Sequence, residues 1–187
     1  LLPRVPGLAD ALFQSDGTMT KQEIRAATLA KLMPMRGALL WDIGCGSGSV
    51  AIEWIRAARY ARAIGIEPRA DRRAMAGANA MALGAPKLEL VDGMVPDALG
   101  GLPAPDAIFI GGGLSRPTFD AAWAALRPLG RLVANAVTLE SEAELMALHA
   151  EFGGELVRIS VCRAEPVGRL TGWRPSMPVT QWSLVKR

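Results

Sequence analysis

A short apolar run, residues 38–43, passes through Asp42 and Ile43 straight into Gly44-Cys45-Gly46-Ser47-Gly48, and residues 49–59 then take up helical spacing. Strand, glycine turn and helix in immediate succession leave few folds open. The strand reads as buried on both faces, which a parallel sheet covered by helices requires. Gly44 and Gly46 permit backbone angles and close approaches that a Cβ would block. In an open α/β sheet, ligands settle beyond the carboxyl ends of the strands, where this turn lies.

The unit repeats along the chain. Residues 61–66 and 87–91 read as strands, with an alanine-rich helix over 69–83 between them and a weak helix over 95–99 after them. Residues 106–110 form a fourth strand ending in Gly111-Gly112-Gly113, and Ser115-Arg116-Pro117 opens a helix with an N-cap and an early proline. Residues 130–136 are a fifth strand, after which Ser141 caps another helix. Residues 155–162 and 180–186 close the pattern as two strands joined by a long loop rich in Pro, Gly and Arg. With no helix between them, these two should pair antiparallel. Ahead of all this, Thr20-Lys21-Gln22-Glu23 has the form of a capping box, with Glu23 reaching back to Thr20. The helix it opens stops at Pro34 and Gly37. The expected architecture is one α/β domain over 1–187, with an N-terminal segment and helix (1–37) and a core (38–187). Its sheet is seven-stranded and mostly parallel, with a C-terminal antiparallel hairpin.

Composition narrows the chemistry. A single histidine, His149, and two cysteines without ligand spacing, Cys45 and Cys162, leave no metal site and no histidine triad to expect. No apolar run reaches the roughly 20 residues of a membrane helix, and Leu1-Leu2-Pro3-Arg4-Val5-Pro6 lacks the long apolar stretch of a signal peptide; the expected setting is a reducing cytoplasm. Net charge is only +3, but from Arg158 onward six basic residues (Arg158, Arg163, Arg169, Arg174, Lys186, Arg187) face one acid, Glu165. A local positive field suits an anionic substrate. Nucleic acid fits less well, because stacking aromatics are scarce at 5% of residues.

Glycines alone do not name a ligand. Two acids sharpen the reading. Asp42, buried just before the loop, is placed to organise its backbone and to meet the cationic end of a cofactor. Glu67 ends the second strand, 23 residues after Gly44, where a carboxylate can accept both hydroxyls of an adenosine ribose. Its alternative use is as an acid at the start of the next helix. Ser49 stands where a dinucleotide fingerprint would place its third glycine, which argues against a nicotinamide cofactor. The strand order with its terminal hairpin resembles the class I S-adenosylmethionine methyltransferase (Rossmann-like) fold.

Within that fold, Thr20-Lys21-Gln22-Glu23-Ile24-Arg25, the Asp42–Gly48 loop, Ile110-Gly111-Gly112-Gly113, Pro96-Asp97-Ala98-Leu99 and Asn135-Ala136-Val137-Thr138-Leu139-Glu140 resemble the precorrin methyltransferases of the CbiT type. Such domains also form the C-terminal half of decarboxylating precorrin-6Y methyltransferases, and the leading Leu1-Leu2-Pro3 without an initiator Met fits a piece of a longer chain. The resemblance implies methylation of a precorrin at carbon 15 with loss of the ring C acetate carboxylate, in cobalamin biosynthesis. It implies cofactor contacts from Thr20, the Gly44-Cys45-Gly46-Ser47-Gly48 loop, Glu67, Gly93, Met94 and Gly111. Met94 replaces the acid that many methyltransferases carry there, so its contact with adenine would be through backbone and apolar packing.

A polycarboxylate tetrapyrrole needs anion receptors. Arg116, in the first turn of a helix, and Arg163, Arg169 and Arg174, on or beside the late loop, are the candidates, since Arg forks match carboxylates. Arg25 lines the entrance or braces the first helix, and Gly112 and Gly113 let the chain pass close to the reacting centre. The resemblance also implies a homo-oligomer, a tetramer. Methyl transfer is an in-line displacement in which alignment supplies most of the catalysis, and no side chain in the sequence identifies itself as the proton donor or acceptor.

Overall fold

The structure is a computed structural model and describes residues 2–187, so Leu1 of the leading Leu1-Leu2-Pro3 lies outside the described residues. In chain order the elements are α1 (Gln22–Leu32), β1 (Leu39–Ile43), α2 (Ser49–Ala57), β2 (Arg62–Ile66), α3 (Ala70–Ala82), β3 (Glu89–Val91), β4 (Ala107–Ile110), α4 (Arg116–Ala125), β5 (Arg131–Ala136), α5 (Leu139–Phe152), β6 (Glu155–Ile159), β7 (Cys162–Val167), β8 (Leu170–Pro175) and β9 (Val179–Val185). Seven strands form one sheet in the order β3-β2-β1-β4-β5-β9-β6. All neighbours from β3 to β5 run parallel, and β9 lies antiparallel between β5 and β6. This is the mostly parallel seven-stranded sheet expected, with its last two strands paired antiparallel.

Alternate residues of each central strand feed two separate cores. Leu39, Trp41 and Ile43 of β1, Ile108 and Ile110 of β4, and Leu132 and Ala134 of β5 pack under α4 and α5, together with Phe119, Leu145 and Trp182. Leu40, Ala107, Phe109 and Val133 face the other way, against Leu29 and Leu32 of α1 and Val50 and Trp54 of α2. Two-sided burial explains why these strands read as continuous apolar runs. The register brings their carboxyl ends level, with Ile43 opposite both Ile66 and Ile110. The sheet order reverses between β1 and β4, which opens a crevice beyond that shared edge.

Three local expectations give way. Thr20 is not the cap of α1. Lys21 holds that position, with no side-chain capping bond, and Glu23 turns outward to Arg163, 140 residues away. Helix α5 starts before Ser141: Thr138 is its N-cap and accepts from the Ser141 N–H at 3.2 Å. The loop between the last two strands is itself a hairpin, β7 paired with β8, turning at Gly168 (φ +60°) and Arg169. A glycine of positive φ at the first central position of a two-residue turn suits the twist of the flanking strands.

The segment before α1 is packed down as a strap. Leu8 and Phe13 are buried against Ile52, Ala80 and Leu83. The backbone N–H groups of Gly7 and Leu8 donate to the Glu53 carboxylate at 2.6 and 3.0 Å.

Candidate functional site

A cavity of about 650 Å³ lies beyond the carboxyl ends of the parallel strands, within the 300–1,000 Å³ or so usual for small-molecule sites. Its inner wall is the turn after β1. Gly44 takes φ +70°, and a Cβ on it would stand 2.9 Å from the backbone of Gly112. The loops after β1 and β4 therefore touch, and only glycine permits it. Gly48 (φ +75°) is the N-cap of α2 and supplies no side-chain cap. Asp42 does that work from below, its Oδ2 accepting from the Ala51 N–H at 3.0 Å.

The other Asp42 oxygen, Oδ1, is buried without a partner, and so is the Ser47 hydroxyl. Burial pushes the Asp42 carboxyl up to about 7; the Ala51 hydrogen bond opposes the shift and the nearby Glu67 charge adds to it. A buried acid with an unmet acceptor, beside an unmet hydroxyl, fits a ligand that brings a cation or donors. Glu67 closes this end. Its carboxylate accepts from the Gly46 N–H at 3.1 Å and the Arg69 N–H at 3.0 Å. It thus serves the glycine loop and, as the second of the two uses foreseen for it, the start of α3. Cys45 is buried over Gly65, with its Sγ only 2.8 Å from where a Gly65 Cβ would be, and burial pushes its thiol far up. It is a packing residue with no thiolate to offer.

The strap crosses the mouth of this inner end. Gly17, Thr18, Met19, Thr20 and Lys21 line the cavity. Asp16 holds the strap to α3, accepting from Thr18 (Oγ1, 2.6 Å) and from Arg72 (Nε, 2.9 Å); these bonds, Thr18's first, keep its carboxyl well below the usual carboxylate range. Asn79 of α3 ties three segments at once. It accepts from the Gln14 N–H at 2.8 Å and donates to the carbonyls of Gln14 and Ser47, both at 2.9 Å.

Of the residues singled out by sequence, Thr20, Asp42, Gly44, Cys45, Gly46, Ser47, Glu67, Gly93, Met94, Gly111, Gly112, Gly113 and Arg163 share this one cavity. The remainder stand elsewhere. Gly48 lies behind the wall, where a Cβ would press on Ala76 at 3.1 Å. Arg25 is fully buried, donating to Glu53 at 2.5 Å, to the Thr20 carbonyl at 2.6 Å and to the Leu8 carbonyl, so its charge is spent inside the fold rather than at an entrance. Arg116 lies on the outer side of α4, bonded to Asp120 at 2.9 Å and Glu151 at 2.5 Å. Arg169 sits at the exposed hairpin turn, and Arg174 on β8 pairs with Glu165 at 2.8 Å. In each case the neighbouring acid or the hairpin geometry carries the side chain away from the cavity, which position along the sequence does not reveal. Asp92 is likewise held outside, by Arg73 at 2.8 Å.

Around the candidate Arg163 the structure places residues to which the sequence assigned no role of their own. Lys21 lines the cavity with no ion pair among the described residues, and Arg163 meets Glu23 at the rim. Beyond them the ends of β5, β6 and β9 contribute Asn135, Val137, Ile159 and Val179. A polar residue closing an otherwise apolar strand was the available signal for Asn135. Among the described residues no cluster of potential metal ligands occurs, and no helix is long and apolar enough to cross a membrane.

Known proteins agree with this geometry. The family model described as "Precorrin methyltransferase domain" matches residues 11–186. The chain is 54% identical over 187 residues to the precorrin-6Y C(5,15)-methyltransferase [decarboxylating] of Sinorhizobium sp, covering 100% of this chain and 45% of that protein. It thus spans about half the length of the first curated relatives it matches. It is 35% identical to a probable cobalt-precorrin-6B C(15)-methyltransferase (decarboxylating) of Pyrobaculum calidifontis, covering 93% of each. The crystal structure of the C-terminal domain of precorrin-6Y C5,15-methyltransferase from Rhodobacter capsulatus superposes with TM-score 0.92 at 51% identity, covering 99% of this chain and 100% of that one. By sequence match along nearly its whole length, and by a fold that carries the matched residues to one crevice, the chain belongs to the precorrin methyltransferase family.

Proposed function

We propose that this chain binds S-adenosylmethionine and methylates a precorrin at carbon 15, with loss of the ring C acetate carboxylate, as a step of cobalamin biosynthesis. The observation that carries the reading is the polarity of the inner cavity wall: the unpartnered Asp42 Oδ1 and Ser47 hydroxyl lie beside the Gly44–Gly112 contact and the Glu67 carboxylate. Asp42 and Ser47 suit the amino-acid end of the cofactor, Glu67 its ribose, and Gly93 with Met94 its adenine edge. Once bound, the cofactor supplies an electrophilic methyl group on a sulfonium sulfur.

The chain's own part is to hold and align. The strap, latched by Asn79 and Asp16, covers the inner end against water. Gly111, Gly112 and Gly113 leave the passage from inner to outer end free of side chains. Lys21 and Arg163 are the cations on the lining outside the strap-to-α3 contacts, and they replace Arg25, Arg116, Arg169 and Arg174 as the receptors for substrate carboxylates. The exposed apolar residues of the β7–β8 hairpin, Val167, Leu170 and Trp173, support assembly into a homo-oligomer, a tetramer, since an isolated two-stranded hairpin is marginal in water. A cytoplasmic setting accords with two free cysteines.

An RNA substrate is less well supported, because most of the arginines are already paired with acids, among them Arg69, Arg73, Arg116, Arg127, Arg158 and Arg174. The test is incubation with methyl-labelled S-adenosylmethionine and separate precorrin and RNA pools. Label and loss of carbon dioxide in the precorrin pool are expected. Label in RNA would refute the substrate, and cofactor binding with no label anywhere would leave a non-catalytic scaffold.

A further inference from the structure

The outer end of the cavity is built differently from the inner one. The segments at the ends of β5, β6 and β9 line it with Asn135 and the aliphatic side chains of Val137, Ile159, Val161 and Val179. One neutral amide stands in a largely apolar wall, whose other polar members are Ser176 and, at the rim, Arg163. That amide is fixed from behind. Asn135 Nδ2 donates to Thr28 Oγ1 at 3.0 Å, and Asn135 Oδ1 accepts from Gln181 Nε2 at 2.9 Å. Gln181 Nε2 reaches Thr28 Oγ1 as well, at 3.0 Å. Thr28 and Gln181 are 0% and 1% exposed, and Gln181 Oε1 has no partner at all.

Burying Thr28 and Gln181 behind a half-buried Asn135, with one acceptor unmet, costs stability that apolar residues of the same shape would not. The arrangement nonetheless does one thing well: it sets the plane and direction of the Asn135 amide. A primary amide has two N–H groups. Only one is used by Thr28, so the second is left to the cavity. The β4–β5 register pairs Ile110 with Ala134, which puts Asn135 beside Gly111, next to the passage from the inner end.

We propose that Asn135, held by Thr28 and Gln181, grips the carboxylate that the substrate loses, and that the aliphatic wall beside it is where decarboxylation occurs. This rests on the decarboxylating reading above. In the step, the bond between the acetate methylene and its carboxylate carbon breaks. The electron pair passes into the conjugated macrocycle, carbon dioxide leaves, and a proton from water completes the methyl group. The reaction disperses a charge that begins localised on two oxygens. A single N–H orients those oxygens without the strong ground-state stabilisation that Lys or Arg would give, and the aliphatic wall disfavours the carboxylate more than the delocalised product. Asn135 contacts substrate; Thr28 and Gln181 are positioning residues.

The experiment follows carbon dioxide release and methyl transfer in single turnovers of the cofactor-loaded protein on a decarboxylating precorrin substrate. Titration with S-adenosylhomocysteine and circular dichroism report on the fold. Asn135→Asp keeps the acceptor for Gln181 and puts negative charge in place of the amide nitrogen that donates to Thr28 and faces the cavity; Asn135→Ala removes acceptor and donors together. Each is expected to bind S-adenosylhomocysteine as the parent does and to slow carbon dioxide release by about 10- to 100-fold, because the carboxylate is no longer held with its breaking bond aligned to the macrocycle. Methyl transfer should slow less, so that methylated, undecarboxylated product accumulates. Gln181→Leu, which frees the amide without removing it, should slow release by about 3- to 10-fold and add nothing to Asn135→Ala. Unchanged carbon dioxide release in Asn135→Asp, or equal losses in both steps, would overturn the assignment. A parent protein that binds S-adenosylhomocysteine but gives neither product would instead overturn the reading of the function.

Discussion

Arg25 and Glu53 form an ion pair that solvent does not reach: Nε meets Oε1 at 2.5 Å, and the two side chains are 0% and 2% exposed. The remaining Glu53 valence goes to the Gly7 and Leu8 N–H groups, and the remaining Arg25 donors go to Asp10, Thr20 and Leu8. One helix pair thereby anchors both ends of the strap, at Leu8 and at Thr20. Removing either partner leaves a buried charge uncompensated, which typically costs about 3–5 kcal/mol. Arg25→Met and Glu53→Gln should each lower unfolding free energy by about that amount in urea titrations. A loss under about 1 kcal/mol would show that the pair is dispensable.

Asn79 couples the strap to the glycine loop, and its substitution should be felt at the ligand more than in the core. Asn79→Ala leaves the Gln14 N–H and the Ser47 carbonyl without their partners. Each orphaned group costs on the order of 1 kcal/mol or more, and the strap no longer rests on the loop. S-adenosylhomocysteine affinity, measured by calorimetry, should fall by about tenfold or more. Equal affinity in the variant would mean that the strap is passive.

Much of this was legible from the chain, and what was not has a physical reason. The strand–turn–helix succession around Gly44 and the acid at Glu67 fix backbone direction, so they located the crevice. Side-chain direction is another matter. Arg116 and Arg163 look alike in sequence, both near glycine-rich loops, yet Glu151 draws one outward and Glu23 holds the other at the cavity rim. The same Arg163 draws Glu23 away from Thr20, which dissolved a capping box correct in spacing. Pro166, Gly172 and Pro175 disguised β7 and β8 as a loop, because these strands pair only with each other and tolerate residues that an inner strand would not. For Arg25 the sequence left entrance and brace both open, since nothing local announces a partner 28 residues away.

Receptors follow from that distinction. Lys21→Ala and Arg163→Met should each weaken binding of the carboxylate-rich precorrin, by about 5- to 50-fold in Kd. Arg116→Ala and Arg169→Ala should leave it within twofold or so of the parent, as expected for surface positions outside the cavity. Fluorescence or absorbance titration of the tetrapyrrole reads both sets. The reverse pattern would return the receptor role to the outer arginines.

If Asp42 meets the cation of the cofactor, ligand binding should depend on pH. Burial raises its carboxyl from 3.8 to about 7 in the folded protein. A raised folded value means that the folded state keeps a proton the unfolded state releases. The resulting stability is complete below about pH 4, declines as pH rises toward about 7, and is level above that. A ligand that brings a cation to Oδ1 selects the ionised acid, so its affinity should move the opposite way, rising between about pH 6 and pH 8. Asp42→Asn should flatten both profiles, that of thermal stability and that of S-adenosylmethionine affinity. A pH-independent affinity in the parent would place the cation elsewhere.

Gly44 tests whether the contact between the two loops is needed. Its φ of +70° costs an L-residue about 1–2 kcal/mol. A methyl group there would also stand 2.9 Å from both the nitrogen and the carbonyl oxygen of Gly112, and backbone cannot rotate aside as a side chain can. Gly44→Ala must therefore push apart the loops after β1 and β4, moving Asp42 and Ser47 relative to the passage at Gly111–Gly113. Cofactor affinity should fall by about 100-fold or more, beyond the loss that backbone strain alone produces. Gly112→Ala supplies the contrast, because nothing lies within 4 Å of a Cβ at that position. It should bind S-adenosylhomocysteine nearly as the parent does while slowing turnover, since its methyl group projects into the passage rather than against the loop. If both variants lost cofactor equally, the glycines would be needed for loop mobility and not for the close approach of the two turns.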